Sequence, residues 1–427
     1  MKSQVACALL IGFVAPVELR ANDWSGRLGV GVIETDNVER TATDAMSDAI
    51  GDLSADLDLH EQTRRVDADA IANLQYLTYE HDVYRSDVVG NFAGNAKYAV
   101  LPGQFEWVVQ DNFGQQELEP GTPITPLNLE NINYLSTGPN LLVSLGPQLH
   151  AQLSARYSKV SYQISDLDNN RGDASVALVH PLSTNSNVSL NVDAERVRYE
   201  DSVANPDFTT QQGYLRYDAQ GGRTKLALDL GYEDTTGLSS KGGGALVRAE
   251  ASRNISASSH LDFSIGQEIS DTGNLLRQLQ GLDGVAVSAT SLQRSNDPFI
   301  SRYARVGWQL DGHRTSISFD VERFQEHHLD FANLDQRRTQ ADISLRRNLT
   351  PVLTAVVTAS YGKATYNSIV GGASDQIDSA VLEWRIDRRL DMKVEYDHFD
   401  HSGDSASNEY VENRIAISVG MRLGSVI

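Results

Sequence analysis

The feature that most constrains this chain is a period-two alternation of apolar and polar residues that recurs from end to end in short segments. Leu53, Ala55, Leu57 and Leu59 alternate with Ser54, Asp56, Asp58 and His60; Leu226, Leu228, Leu230 and Tyr232 with Lys225, Ala227, Asp229 and Gly231. Further runs include Ala304 to Leu310, Ile317 to Val321, Ala341 to Leu345 and Ile415 to Leu423. Side chains on a strand point to opposite faces in turn, so such a run describes a strand with one apolar and one polar face. No helical period of comparable length competes with it.

The connections carry a second signal because they alternate between tight and long. Pro102-Gly103, Gly221-Gly222, Gly312-His313 and Asp387-Arg388-Arg389 suit hairpin turns. Longer polar stretches lie between them: Glu34 to Ile50, Gln115 to Asn133, Ser270 to Asp297, Gln325 to Gln336 and Phe399 to Glu409. Counting from an upward first strand at Trp24 to Ile33 gives 20 strands, or 18 if Val66 to Val100 is misread, with every long connection on one side. Short turns at one end and long loops at the other predict an all-β, antiparallel, up-and-down transmembrane barrel. Sandwiches, solenoids and propellers also alternate, but a sandwich gives its loops no such asymmetry. Trp24, Tyr76, Tyr98, Phe105, Trp107, Tyr157, Tyr232, Tyr361 and Tyr396 fall near strand ends, as girdle residues do.

Composition narrows the setting. Lys2, the apolar stretch from Val5 to Val17, and Arg20-Ala21 before Asn22-Asp23 resemble a secretory signal peptide, residues 1–21, leaving the barrel at 22–427. The only cysteine, Cys7, lies inside that segment. No later stretch approaches the roughly 18 apolar residues of a spanning helix. The formal charge of −21 argues against nucleic acid as a partner, since phosphate contacts need a positive surface. The expected location is the outer membrane, and the expected partners are its lipid and the barrel-assembly machinery.

In this register the polar faces look into the lumen. Candidate lumen-lining residues are Asp56, Asp58, Arg156, Arg216, Asp229, Arg248, Asp262, Arg305, Asp320, Asp342, Arg346, Glu383, Arg385, Lys393 and Arg422. Asp67, Asp69, Glu106 and Glu250 also face inward in this register, so inward acids outnumber inward bases. Such charges can line water, in which case that excess predicts weak cation selectivity, or form salt-bridge ladders. One strand breaks the pattern: with Val188, Leu190, Val192 and Ala194 outward, Arg196 and Arg198 would enter lipid. A bulge near Glu195 or emergence above the membrane would repair this.

Enzymatic constellations are weak. His398, Asp400 and His401 have ligand-like spacing, but a loop rich in Asp, Ser and Gly gives that by chance. His327-His328 should point in opposite directions from a solvated outer loop. No Ser, His and acid group by spacing, so a hydrolase on the barrel rim is a minor alternative, and no catalytic residue, metal or cofactor is assigned.

Three word clusters resemble a known family: the β-barrel porins of Gram-negative outer membranes associated with exopolysaccharide and exosortase (PEP-CTERM) gene clusters. They are Asp36-Asn37 after the first strand, Gly138-Pro139 after Pro126-Leu127-Asn128 and Asn133-Tyr134, and Arg156-Tyr157 followed by Asp168-Asn169-Asn170-Arg171. The resemblance implies a porin-like channel serving export or surface handling of polysaccharide, with polysaccharide or periplasmic export proteins as partners. The alternative is a structural or adhesive barrel plugged by the Gln115 to Asn133 or Ser270 to Asp297 loop.

Overall fold

The computed structural model describes residues 23–119, 121–240, 242–278, 295–367, 372–403 and 408–424. The signal segment, residues 1–21, lies outside them. Twenty antiparallel strands follow one another around a single sheet, from β1 (Asp23–Thr35) and β2 (Asp48–Gln62) to β19 (Leu390–Ser402) and β20 (Tyr410–Gly424). Each pairs with its sequence neighbours. β1 also pairs with β20, from Ser25 opposite Gly424 to Thr35 opposite Arg414, which closes the barrel and leaves no sheet edge. The doubtful region from Val66 to Val100 is two full strands, β3 (Val66–Tyr79) and β4 (Asp87–Leu101), so the count is 20.

The connections sort by length as the alternation predicts. Those at one end span two to four residues, whereas those at the other span five to 28. The strands extend further than the polar loops suggest: β5 (Phe105–Glu117) and β6 (Leu129–Gly146) take both ends of the Gln115 to Asn133 stretch and leave 118–128 as the loop. The outward face is apolar and open. Val30, Leu53, Leu230 and Ile343 are exposed by 65, 59, 62 and 50%. A band of this kind around a closed barrel, with all backbone groups paired within the wall, is stable only in a bilayer. No described helix is long and apolar enough to cross a membrane, so the strands do it. The chain is an outer-membrane barrel.

The seam between first and last strands is tied at both ends. At the outer end, Asn413 donates its backbone N–H and its amide to Asp36 (2.8 and 2.7 Å), and buried Asn37 donates to the carbonyls of Val411 and Thr41. At the periplasmic end, Asp391 accepts from Arg27 on β1 and Arg422 on β20, both at 2.8 Å. β9 (Ser186–Tyr199) pairs with β8 (Asn169–Ser183) and β10 (Phe208–Gln220) without a register shift through Glu195. The expected conflict at Arg196 and Arg198 is therefore resolved by emergence of the strand above the lipid, not by a bulge.

Candidate functional site

The loop between β13 (Ser259–Ser270) and β14 (Phe299–Asp311) turns into the barrel, and directly after Asp271 it forms helix α1 (Thr272–Gln278). Asp271 starts the helix by accepting the backbone N–H groups of Gly273 (2.9 Å) and Asn274 (3.3 Å). The same carboxylate takes a two-pronged pair from Arg171 on β8, at 2.6 and 3.0 Å. Burial pushes the Asp271 pKa up, but Arg171 and the two N–H donors outweigh it and hold the carboxyl below its ordinary value. Gly273 is required here, because a Cβ would lie 2.4 Å from the Arg171 guanidinium.

The rest of α1 is held by polar groups of the inner wall and by an apolar cluster. Asn112 donates to the carbonyl of Leu276 (3.1 Å), and Asn274 donates to Glu195 (2.8 Å). Leu276 is buried among Ile132, Tyr134, Val160, Tyr162 and Val197, which are inward residues of β6, β7 (Leu149–Tyr162) and β9. The returning end is held too: Tyr199 donates to the carbonyl of Asn296, and Asp297 accepts the backbone N–H groups of Asp330 and Phe331. Beside α1 lies a cavity of about 370 Å³ lined by charged and hydroxyl groups, among them Arg156, Asp193, Tyr214, Arg248 and Arg277.

The residues of the three word clusters have local roles. Gly138 and Pro139 interrupt the ladder between β6 and β7, and a Cβ on Gly138 would stand 2.0 Å from the Ala155 carbonyl. Arg156 stitches the gap, donating to the carbonyl of Pro139 (2.8 Å) and to Asn140 (2.5 Å). Asp168 accepts the Tyr162 N–H, and Asn169 orients Arg171 by accepting from its Nε at 2.9 Å.

Most of the remaining lumen candidates form ion pairs and polar contacts along the wall. Arg248 reaches Asp229 (2.9 Å) and Glu268 (3.0 Å), Arg216 approaches the same Asp229 at 3.5 Å, and Arg248 stacks over Tyr214. This group borders the α1 cavity. Further around, Arg305 pairs with Asp320 (2.8 Å), which stands opposite Asp342, and Arg346 pairs with Glu383 (2.7 Å), opposite Lys393. Asp56 lies 3.9 Å from Arg27, and Arg422 joins Asp391. Asp262 contacts His260, and Arg385 donates to the carbonyl of Pro351 at the periplasmic rim. Asp58 faces inward opposite Ile71 on β3.

Two expectations about histidine need correction or completion. His327 and His328 do point oppositely, but they end β15 (Thr315–His328) and are not in a solvated loop. His328 is buried against Phe299, with Asp297 at 3.7 Å and Glu326 at 3.5 Å. Ser295 also approaches that ring (3.5 Å) and is buried, accepting the Asp297 N–H, so the group clasps the returning end of the loop to β15. His398 and His401 stand on opposite faces of β19, bonded to Asn413 and Asp375 respectively. Sequence spacing gave no hint of a different trio, Asp48, Glu80 and His81, whose ligand atoms lie within 4.8 Å of one another at the outer end of β2 and β3. The His81–Asp48 hydrogen bond at 2.7 Å accounts for much of that closeness.

Loop 118–128 bends over the mouth toward the seam. Arg40, in the loop after β1, donates to the carbonyl of Ile124, pairs with Glu412 (2.8 Å) and packs over Phe399. Both loops considered as plugs thus reach over or into the lumen.

No family model and no curated protein matches the chain. Among solved structures, it is similar to the siderophore receptor PirA from Acinetobacter baumannii, 9% identical with a TM-score of 0.50, over 94% of this chain and 80% of that one. It is likewise similar to the ferric enterobactin receptor PfeA from Pseudomonas aeruginosa, a mutant, 10% identical with a TM-score of 0.50 over the same shares. At this identity the likeness shows the fold, a large outer-membrane barrel.

Proposed function

We propose that the protein is a selective outer-membrane channel, narrowed from the outside by α1, and that its solute is a polar, hydroxyl-rich molecule of the surface-polysaccharide class. The observation that carries the reading is the docked helix with a polar cavity of about 370 Å³ at its side. That volume lies within the range of specific small-molecule sites. Its walls mix cations and anions: Arg248 is paired with Asp229 and Glu268, and Arg156 and Arg277 stand in the same lining as Asp193, so the wall can bind hydroxyl groups without a strong net field. For the same reason, discrimination between potassium and chloride should be slight. The family resemblance in the first half of the chain supports the assignment to polysaccharide handling.

Planar bilayer recordings test the proposal. Purified wild type should give small conductance steps that are reduced by oligosaccharides of the host's surface polymer, and Asn112→Ala, which loosens α1, should give larger ones. An absence of steps in both proteins would favour the closed structural barrel, a reading that loop 118–128 over the mouth also supports.

A further inference from the structure

The charges on the two faces of strands β14 to β17 are treated differently. Inside, Arg305 meets Asp320 and Arg346 meets Glu383. Outside, near the loop end, stand Arg302 on β14, Arg323 on β15, Arg337 on β16 (Gln336–Thr350) and Lys363 on β17 (Leu353–Tyr366), all four exposed. None of them forms an ion pair among the described residues; Arg302 only donates to the Gln267 amide oxygen at 2.8 Å. The strand registers make them neighbours. Arg302 and Arg337 flank Gln325 in one row, while Arg323 and Lys363 flank Thr339 in the next row toward the membrane. The outward positions of these four strands carry no acid, in a chain whose formal charge is −21.

Their height is set by the strand below them. On β16, Arg337 is separated from the outward Arg347 by ten positions that include Ala341, Ile343 and Leu345. At about 3.3 Å per residue and a tilt of about 40° this is roughly 25 Å of height, the thickness of the apolar band of such barrels. Arg337 and its neighbours therefore stand at the upper border of the hydrocarbon, on the side of the long loops, where their stems can lie along the apolar wall and their heads reach upward.

We propose that this patch binds the phosphate groups of the anionic glycolipid that forms the outer leaflet, the lipid A portion of lipopolysaccharide. Guanidinium groups suit the planar, two-point recognition of phosphate, and a Lys adds a point charge. Two rows of two cations can engage a headgroup carrying two phosphates. A soluble anionic polymer is a poorer match, because the cations face sideways at the lipid border and not into the lumen. The inference is independent of what crosses the barrel.

Native mass spectrometry of the detergent-solubilised barrel, titrated with bisphosphorylated lipid A or with the same lipid dephosphorylated, tests it. Wild type should bind the phosphorylated lipid and largely ignore the other. The fourfold variant R302Q/R323Q/R337Q/K363Q should bind roughly tenfold more weakly or worse, since several charge-assisted contacts are lost. Arg347→Gln, at the periplasmic border, should bind as wild type. Heat-modifiable migration reports whether the fourfold variant has folded, and R302Q/R337Q carries the same comparison if it has not. Equal binding of the two lipids by wild type, or undiminished binding by the folded variant, overturns the proposal.

Discussion

The two ends of the lumen are built differently. At the outer end the interior is packed like a protein core, with Arg171, Tyr134, Ile132, His328 and Glu412 all essentially inaccessible. Toward the periplasm, inward charges stay wet: the side chains of Arg346 and Glu383 are 49 and 21% exposed, and those of Lys97 and Asp67 are 43 and 42% exposed. The exception is Asp391, which is buried because it ties the seam. The contrast follows from what each end has to work with. Turns of two to four residues cannot reach the barrel axis, whereas a 28-residue loop can bring its own apolar and charged side chains inward. The packed structure that narrows the lumen is therefore assembled from loops at one end, and the wall below serves as its support.

Arg171→Ala should separate the two ends most sharply. It leaves Asp271 buried without its partner and frees Glu195, 3.5 Å away, a type of loss that costs about 3–5 kcal/mol. The expected outcome is release of α1, read as a larger conductance and as new tryptic cleavage after Arg277, with the barrel still heat-modifiable. Unchanged cleavage would show that the apolar contacts of Leu276 alone hold the helix.

Substitutions in the wall should distinguish lipid from lumen at either end. Leu228→Arg or Ile343→Arg places a charge in hydrocarbon and should cost about 2–4 kcal/mol near the midplane. Asp342→Asn should cost far less, since its carboxylate accepts only from Gln340 (3.1 Å) among the described contacts. Asp229 does not share this tolerance. Alternation places it inside, but the structure makes it a buried acceptor for two arginines, so Asp229→Asn should be the more damaging of the two. Refolding titrations into lipid vesicles give these differences.

What could be read from the sequence divides along the same line. Strand number, faces and the side of the long loops follow from a strict period of two, because each strand in a closed barrel has the same two environments. Asn169 and Arg171 stood out as words, yet their partner Asp271 lies 100 positions from Arg171, and only the inward fold of the loop joins them. The docking of α1 was invisible because seven residues with two leucines carry no helical period. The direction of His328 was legible and its burial was not, since that depends on Asp297 of the long loop and Phe299 at the start of β14.

In the wet half, single pairs should matter little. Glu383→Gln removes the partner of a half-exposed Arg346 and should change stability by about 0–1 kcal/mol, the usual worth of exposed pairs. A cost comparable to that of Arg171→Ala would mean that the periplasmic half is as dry as the outer one, and the contrast between the ends would fail.

The smallest effect expected is at the outer rim, where packing ends and solvent begins. His81 donates or accepts with Asp48 at 2.7 Å, and this hydrogen bond, with the nearby carboxylate charge, raises the imidazole pKa above its ordinary 6.5. A raised folded value means that the contact stabilises the β3–β4 loop fully below pH 6.5 and fades as pH rises through the higher folded value. His81 is open to water, so the consequence is local. Proteolysis of loop 80–86 in wild type and in His81→Gln, compared at each pH, reads it directly. The variant should be cut faster than wild type at pH 6, and the two rates should converge in alkali, where the wild-type ring is neutral. A difference that persists unchanged at alkaline pH would show that the ring holds the loop by packing and neutral hydrogen bonding, and that its charge contributes nothing.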